Sequence, residues 1–189
     1  MTHRSTEELL AGLADVRESP RDAGTLDLIV RRPAVGAREV LEEARLDVAD
    51  GLVGDTWKAR ASSRTPDKKP HPDMQLNIMN SRVIGLLAQG RERWALSGDQ
   101  LFIDIDLSDA NLPAGTRLEL GSAVIEVTDQ PHTGCGKFAA RFGKDAFNFV
   151  NSPIGTELHL RGINARVVQP GAIKVGDVVR KIARNPSGR

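Results

Sequence analysis

Cys135 is the single cysteine of this chain, and it lies in the segment Pro131-His132-Thr133-Gly134-Cys135-Gly136-Lys137-Phe138. The residues before it, Ala123 to Thr128, alternate in the manner of a strand. Those after it, Lys137 to Phe142, are compatible with a helix that Gly143 stops. A thiol where a strand hands over to a helix meets free backbone N–H groups and the positive end of the helix. It ionises more readily there and becomes a better nucleophile or soft metal ligand. His132, Lys137 and Arg141 add positive charge, and Gly134 and Gly136 let a ligand come close to the backbone. His132 reads either as a general base or anion donor, or as a solvent-exposed loop histidine. A lone cysteine is commonly a small buried hydrophobe. The Gly, His, Thr and Lys neighbours favour a working thiol, with an inert or redox-sensing thiol as the alternative.

No second constellation competes with it. His3, His71 and His159 have no metal-ligand spacing. Asp104, Asp106 and Asp109 lack the EF-hand pattern, and Asp104 and Asp106 read as one solvated face of a strand. Phosphate-loop, nucleophile-elbow and H-E-x-x-H motifs are missing, and Gly51-Leu52-Val53-Gly54-Asp55 is too short for a dinucleotide fingerprint. One cysteine cannot make an internal disulfide, an iron–sulfur cluster or a multi-thiolate zinc site within one chain.

Composition excludes several partners. Across 189 residues, 26 Lys and Arg balance 25 Asp and Glu, leaving a formal charge of +1. That balance creates no global field for nucleic acid or an anionic membrane. Arg31-Arg32 and Lys68-Lys69 read as solvated loop charges. Two Trp, five Phe and no Tyr do not make a base-stacking platform. No stretch approaches the roughly 20 apolar residues of a membrane span, and the first residues carry no apolar signal core. A cytoplasmic protein with no nucleic-acid or membrane partner is expected.

The elements that must position Cys135 follow from periodicity and punctuation. Ser5 and Glu8 form a capping box, Leu9, Leu13 and Val16 share a face, and Pro20 ends an N-terminal helix over residues 1–20. Leu26, Leu28 and Val30 alternate with Thr25, Asp27 and Ile29, the pattern of a half-buried strand. Residues 38–48 are ambiguous. Lys58 to Asp73 is a long loop, either a lid or disordered. Further strands are expected at Met74–Ile78, Leu101–Ile105, either side of a hairpin at Gly121-Ser122, from Ile163 to Val167, and at Val178–Ile182. Asn80 caps a helix over 81–89 that Gly90 ends; further helical turns are expected at 145–150 and 155–161. Strands in consecutive runs, without βαβ alternation, predict a mainly β fold. The expectation is a closed or partly closed antiparallel β-barrel with a few peripheral helices. The barrel would span 24–182, followed by a flexible tail over 183–189.

Four segments in this order resemble the MOSC domain, named for the C-terminal region of molybdenum cofactor sulfurases. They are Gly51 to Asp55, Ser97 to Ser108, Leu118 to Cys135 and Gly162 to Val179. The resemblance implies a β-barrel and a link to the molybdenum cofactor, a molybdopterin, with a cofactor-free form in isolation as the alternative. It implies Cys135 as a persulfide sulfur carrier or molybdenum ligand, with His132 beside it. The chemistry implied is sulfur transfer or reduction of N-hydroxylated compounds; a non-catalytic cofactor or sulfur carrier is the alternative. Thr133 and Gly134 would then touch the cofactor, Lys137, Arg141 and Arg166 its anionic end, and Asn77 and Asn80 the pterin. Lys58 and Arg60 would reach it from the long loop. Implied partners are a small-molecule cofactor or substrate and a sulfur-donor or electron-donor protein. Pyridoxal phosphate is an association of the family only, since nothing in these 189 residues corresponds to a desulfurase domain. Many relatives place Pro directly before the Cys, where this chain has Gly134, and an aromatic where it has Asn164.

Overall fold

The structure, a computed structural model, describes residues 3–60, 62 and 64–182. The tail expected over 183–189 lies outside the described residues. The strands are β1 (Ala23–Arg31), β2 (Glu39–Leu41), β3 (Glu43–Asp47), β4 (Gly51–Leu52), β5 (Leu76–Asn80), β6 (Leu101–Asp104), β7 (Arg117–Leu120), β8 (Ala123–Val127), β9 (Ile163–Gln169), β10 (Gly171–Lys174) and β11 (Val178–Ile182). The helices are α1 (Thr6–Ala11), α2 (Leu13–Arg17), α3 (Ser81–Ala88), α4 (Gly136–Phe142), α5 (Lys144–Val150) and α6 (Pro153–Glu157).

Seven strands close a ring in the order β1-β11-β7-β8-β9-β5-β6 and back to β1. Closure leaves these strands no free edge. β2 adds to β1, and β10, β3 and β4 form a small separate sheet. The mainly β, closed barrel expected from the sequence is the fold observed. One neighbour pair departs from the antiparallel expectation: β5 and β6 run parallel. The cause is local. Asn80 caps α3 directly at the end of β5, its side chain accepting from the Arg82 and Val83 N–H groups. The helix and the 3-10 turn Arg91–Ser97 then carry the chain back before β6, as a parallel pair requires. One βαβ unit therefore interrupts the consecutive strand runs. The helix ends in a left-handed Gln89 at φ 63° rather than at Gly90.

Two cores share the barrel wall. Leu26, Ile29, Leu76, Ile78, Leu101 and Ile103 fill the interior. Leu28, Val30, Met79 and Phe102, from the same strands, pack outward beneath the helices with Leu9, Val83, Phe138, Phe142 and Phe149. β1 is thus buried on both faces, not half-buried. A register shift between Leu26 and Leu28 breaks the simple alternation and sends Leu26 and Ile29 to the same side. Asp104 ends β6 and pairs with Arg82, whereas Asp106 lies past the strand and bonds the Ser108 N–H, so the two do not share a strand face.

The N-terminal helix forms with the expected Ser5–Glu8 capping box but breaks at Gly12. The Gly121-Ser122 hairpin forms between β7 and β8, with Gly121 at φ 55°. Among the described residues no helix is long and apolar enough to cross a membrane.

Because β6 is walled in on both sides, neighbouring residues on opposite faces are both structural. Ile103→Ala and Phe102→Ala are each expected to lower unfolding free energy by about 2–5 kcal/mol. Urea denaturation checks this; a neutral Phe102→Ala would contradict two-sided burial.

Candidate functional site

One end of the barrel gathers arginines on a single stretch of backbone. Four consecutive carbonyls at the end of the 3-10 turn each accept from a different arginine. Arg38 Nε donates to Ala95 O at 3.2 Å, Arg141 Nη1 to Leu96 O, Arg161 Nη2 to Ser97 O at 3.1 Å and Arg32 Nη1 to Gly98 O at 2.9 Å. A helical end leaves such carbonyls without intrahelical donors, and cations there are favoured. The chain supplies them from far apart: Arg32 follows β1, Arg38 precedes β2, Arg141 is on α4 and Arg161 precedes β9.

Two buried carboxylates offset part of this charge. Asp99 is fully buried, with Arg161 Nη1 2.9 Å from each oxygen and Ser97 Oγ donating at 2.6 Å. Burial alone would raise its pKa, but Arg161 and then His132 outweigh that and hold the carboxyl below its ordinary range. Asp55 receives a two-pronged grip from Arg32 Nε and Nη2, both at 2.8 Å, and also bonds the Arg32 and Trp57 N–H groups. It too ends below its ordinary range, since these bonds exceed the opposing effect of burial. Both acids follow a left-handed glycine, Gly54 at φ 82° and Gly98 at φ 94°.

The remaining arginines are not neutralised. Among the described residues, Arg38, Arg60, Arg64 and Arg141 have no carboxylate in ion-pairing distance. Burial, with Arg141 and Arg32 nearby, lowers the Arg38 pKa; burial and Arg32 lower that of Arg60. Arg32, Arg60, Arg64 and His71 line a recess of about 260 Å³ floored by Asn77. The long loop forms its outer wall. Ser62 N bonds Lys68 O, Thr65 Oγ1 bonds Lys69 O, and Arg64 Nη1 reaches Pro131 O at 3.1 Å.

The Cys135 loop docks onto this assembly. Cys135 caps the seven-residue α4, is exposed, and makes no capping bond with its side chain. The Phe138 ring, one turn on, lies 4.9 Å below the Arg161 guanidinium. Gly134 packs on its own chain: its N–H donates to Asn151 Oδ1 at 2.9 Å, and a side chain there would meet Asn151 and Val150. Thr133 and Lys137 are exposed. His132 is not a solvent-exposed loop residue. Its side chain is 11% exposed, Nε2 sits 3.5 Å from Asp99 Oδ1, and Nδ1 has no partner among the described residues. Burial, then Arg161, push its pKa down to about 3, so the ring is neutral at neutral pH.

Cys135, His132, Thr133, Gly134, Lys137 and Arg141 share the loop and α4, and that loop meets the recess lined by Arg60 and Asn77 where Arg64 bonds Pro131 O. Asn77 bridges Arg32 and Asn164. Asn80 has its oxygen in the α3 cap and its amide on Ser19 and Ile105. Lys58 pairs with Asp50, and Arg166 with Asp73 and Glu126. Sequence reasoning missed Arg32, Arg38, Arg64, Asp55, Asp99 and Arg161, whose roles depend on long-range pairing.

Removing the Asp99 charge leaves Arg161 buried beside an uncharged partner. Asp99→Asn is expected to cost about 3–5 kcal/mol in urea unfolding. His132 sets a pH dependence. It binds a proton in the unfolded chain below about 6.5 but resists protonation in the fold until about 3. Its contribution is therefore intact above pH 6.5 and lost progressively as pH falls towards 3. Thermal unfolding between pH 4 and 7 is expected to show this slope in the wild type and a flatter one in His132→Gln.

Residues 92–180 match the model of the MOSC domain. No curated protein matches the chain. Among solved structures, the YuaD protein from Bacillus subtilis has a TM-score of 0.60 at 17% identity, covering 86% of this chain and 97% of that one. YiiM from Escherichia coli gives 0.54 at 20% identity, over 85% of this chain and 71% of its own. YiiM from Geobacillus stearothermophilus gives 0.52 at 14%, over 88% and 76%. These likenesses establish a shared fold. The matched stretch runs from the 3-10 turn into β11 and contains Asp99, His132, Cys135, Arg141 and Arg161, so this part of the chain, residues 92–180, is similar to the MOSC domain.

Proposed function

We propose that the protein binds an anionic, phosphate-bearing pterin of the molybdenum-cofactor class against its arginine cluster and presents Cys135 beside it as the reactive sulfur. The observation that carries this reading is the surplus of positive charge. Arg32, Arg38, Arg141 and Arg161 converge on carbonyls 95–98 with Arg60 and Arg64 near, and among the described residues only Asp55 and Asp99 pair with them. Like charges held together at a recess relax when an anion enters.

The residues fit such a group. Arg60 and Arg64 present guanidinium groups without carboxylate partners to the recess and would hold the phosphate. Arg32 would add field from behind, since its donors are already committed. Lys137 and Arg141 carry the same charge towards Cys135. Bound molybdenum would supply redox or sulfur-exchange chemistry.

Cys135 is suited to either soft role. As a carrier, its thiolate attacks the outer sulfur of a donor persulfide, the donor S–S bond breaks, and the donor leaves as a thiolate. That exchange is redox-neutral and needs no general base once the thiol is ionised. His132, held near a pKa of 3, is a weak proton acceptor, which favours carriage of sulfur or cofactor over acid–base turnover.

Protein from molybdate-supplemented cells tests this by elemental analysis and by cyanide release of sulfane sulfur. Molybdenum or sulfane sulfur is expected on the wild type and lost in Cys135→Ala, with unfolding unchanged because the thiol is exposed. The Arg60→Gln/Arg64→Gln pair is expected to keep its sulfane sulfur and lose retained pterin. Neither species on the wild type, or equal amounts on Cys135→Ala, would overturn the reading.

A further inference from the structure

A second cavity, of about 440 Å³, adjoins the arginine recess and has the opposite character. The two share a wall at Asn77 and Asn164, whose side chains bond at 2.7 Å. Apolar surface comes from Leu112, Val127, Val150 and Ile163, and the volume suits a small organic ligand. Asp109 and Asp129 also line it, and the described lining residues include no Lys or Arg.

Two imidazoles add acceptors. His159 Nδ1 is 2.7 Å from Leu107 O, and a carbonyl only accepts, so Nδ1 carries a proton, and in the neutral ring Nε2 is the acceptor. His132 directs Nε2 at the Asp99 carboxylate, which likewise leaves Nδ1 as the acceptor. That Nδ1 is buried without a partner among the described residues, on the side of Gly162, itself a wall of the cavity. An unpartnered buried acceptor costs stability unless a donor reaches it.

We propose that this cavity binds a small organic cation with an apolar body, an aralkylammonium or substituted guanidinium. Its N–H groups meet His132 Nδ1 and His159 Nε2, its charge is met by Asp109 and Asp129, and its body covers Leu112, Val150 and Ile163. The arginine recess takes anions, so the two cavities select ligands of opposite charge on either side of one wall. The inference goes beyond the cofactor reading and does not depend on it, because the cavity is complete without Cys135 or molybdenum.

Titration of the full chain, isolated without molybdenum, with 2-phenylethylammonium at constant ionic strength tests it by calorimetry and amide NMR. Saturable binding is expected, with shifts at residues 109–112 and 128–133, and with no competition from pyrophosphate. Phenylacetate, the charge-reversed probe, is expected not to bind there. Asp109→Asn with Asp129→Asn is expected to weaken the ammonium at least about tenfold. Both aspartates are exposed, so unchanged thermal unfolding of that variant shows the loss to be one of binding. No saturable binding, equal binding of phenylacetate, or an unaffected double variant would overturn the proposal. Failure of the molybdenum experiment with success here would separate the two sites.

Discussion

Four carbonyls in a row, Ala95 to Gly98, each holding a different arginine, are the constraint on which the rest of this end of the molecule depends. The backbone cannot offer those carbonyls an internal partner where the 3-10 turn ends. Arginine suits the task because its several donors let it bond a carbonyl and a carboxylate together. Arg161 does this with Ser97 O and Asp99, and Arg32 with Gly98 O and Asp55. Each arginine anchors a different segment, so the start of β2, α4, the lead into β9 and the end of β1 are gathered around one turn.

The same arrangement sets the electrostatics. Two buried acids are consumed by two arginines, and Arg38, Arg60, Arg64 and Arg141 stay without carboxylate partners among the described residues. His132, pressed between Asp99 and these cations, stays neutral and turns an unpartnered nitrogen away from them. The boundary between a cation-lined recess and an acid-lined cavity thus runs through one side chain and the Asn77–Asn164 pair. The Cys135 loop lies on that boundary because Phe138 sits beneath Arg161 and Arg64 holds Pro131.

Local chemistry was legible in the sequence. The Gly121-Ser122 hairpin, the Ser5–Glu8 capping box, the Asn80 cap and the helix after Cys135 depend on neighbours within a few positions, and all form. Consecutive strand runs correctly signalled a mainly β barrel. Harder to see were effects without a period. The bulge in β1 and the second core beneath the helices turned an alternating strand into one buried on both sides. Asp55 and Arg32 are 23 residues apart, and Asp99 and Arg161 are 62 apart, so no local pattern joins them. Charge type alone could not separate Arg60, which lines the recess, from Arg166 and Lys58, whose charges are matched by nearby acids. The helix expected after Cys135 is there, but it has only seven residues and the exposed thiol makes no capping bond.

The central claim is that this arginine cluster is a preformed anion site. Titration with inorganic pyrophosphate, read through the arginine side-chain Nε–H resonances, tests it most directly. Saturable shifts of Arg60 and Arg64, with Arg161 held still by Asp99, are the predicted result. Unsaturable shifts, or shifts confined to Arg166 and other arginines outside the recess, would contradict it.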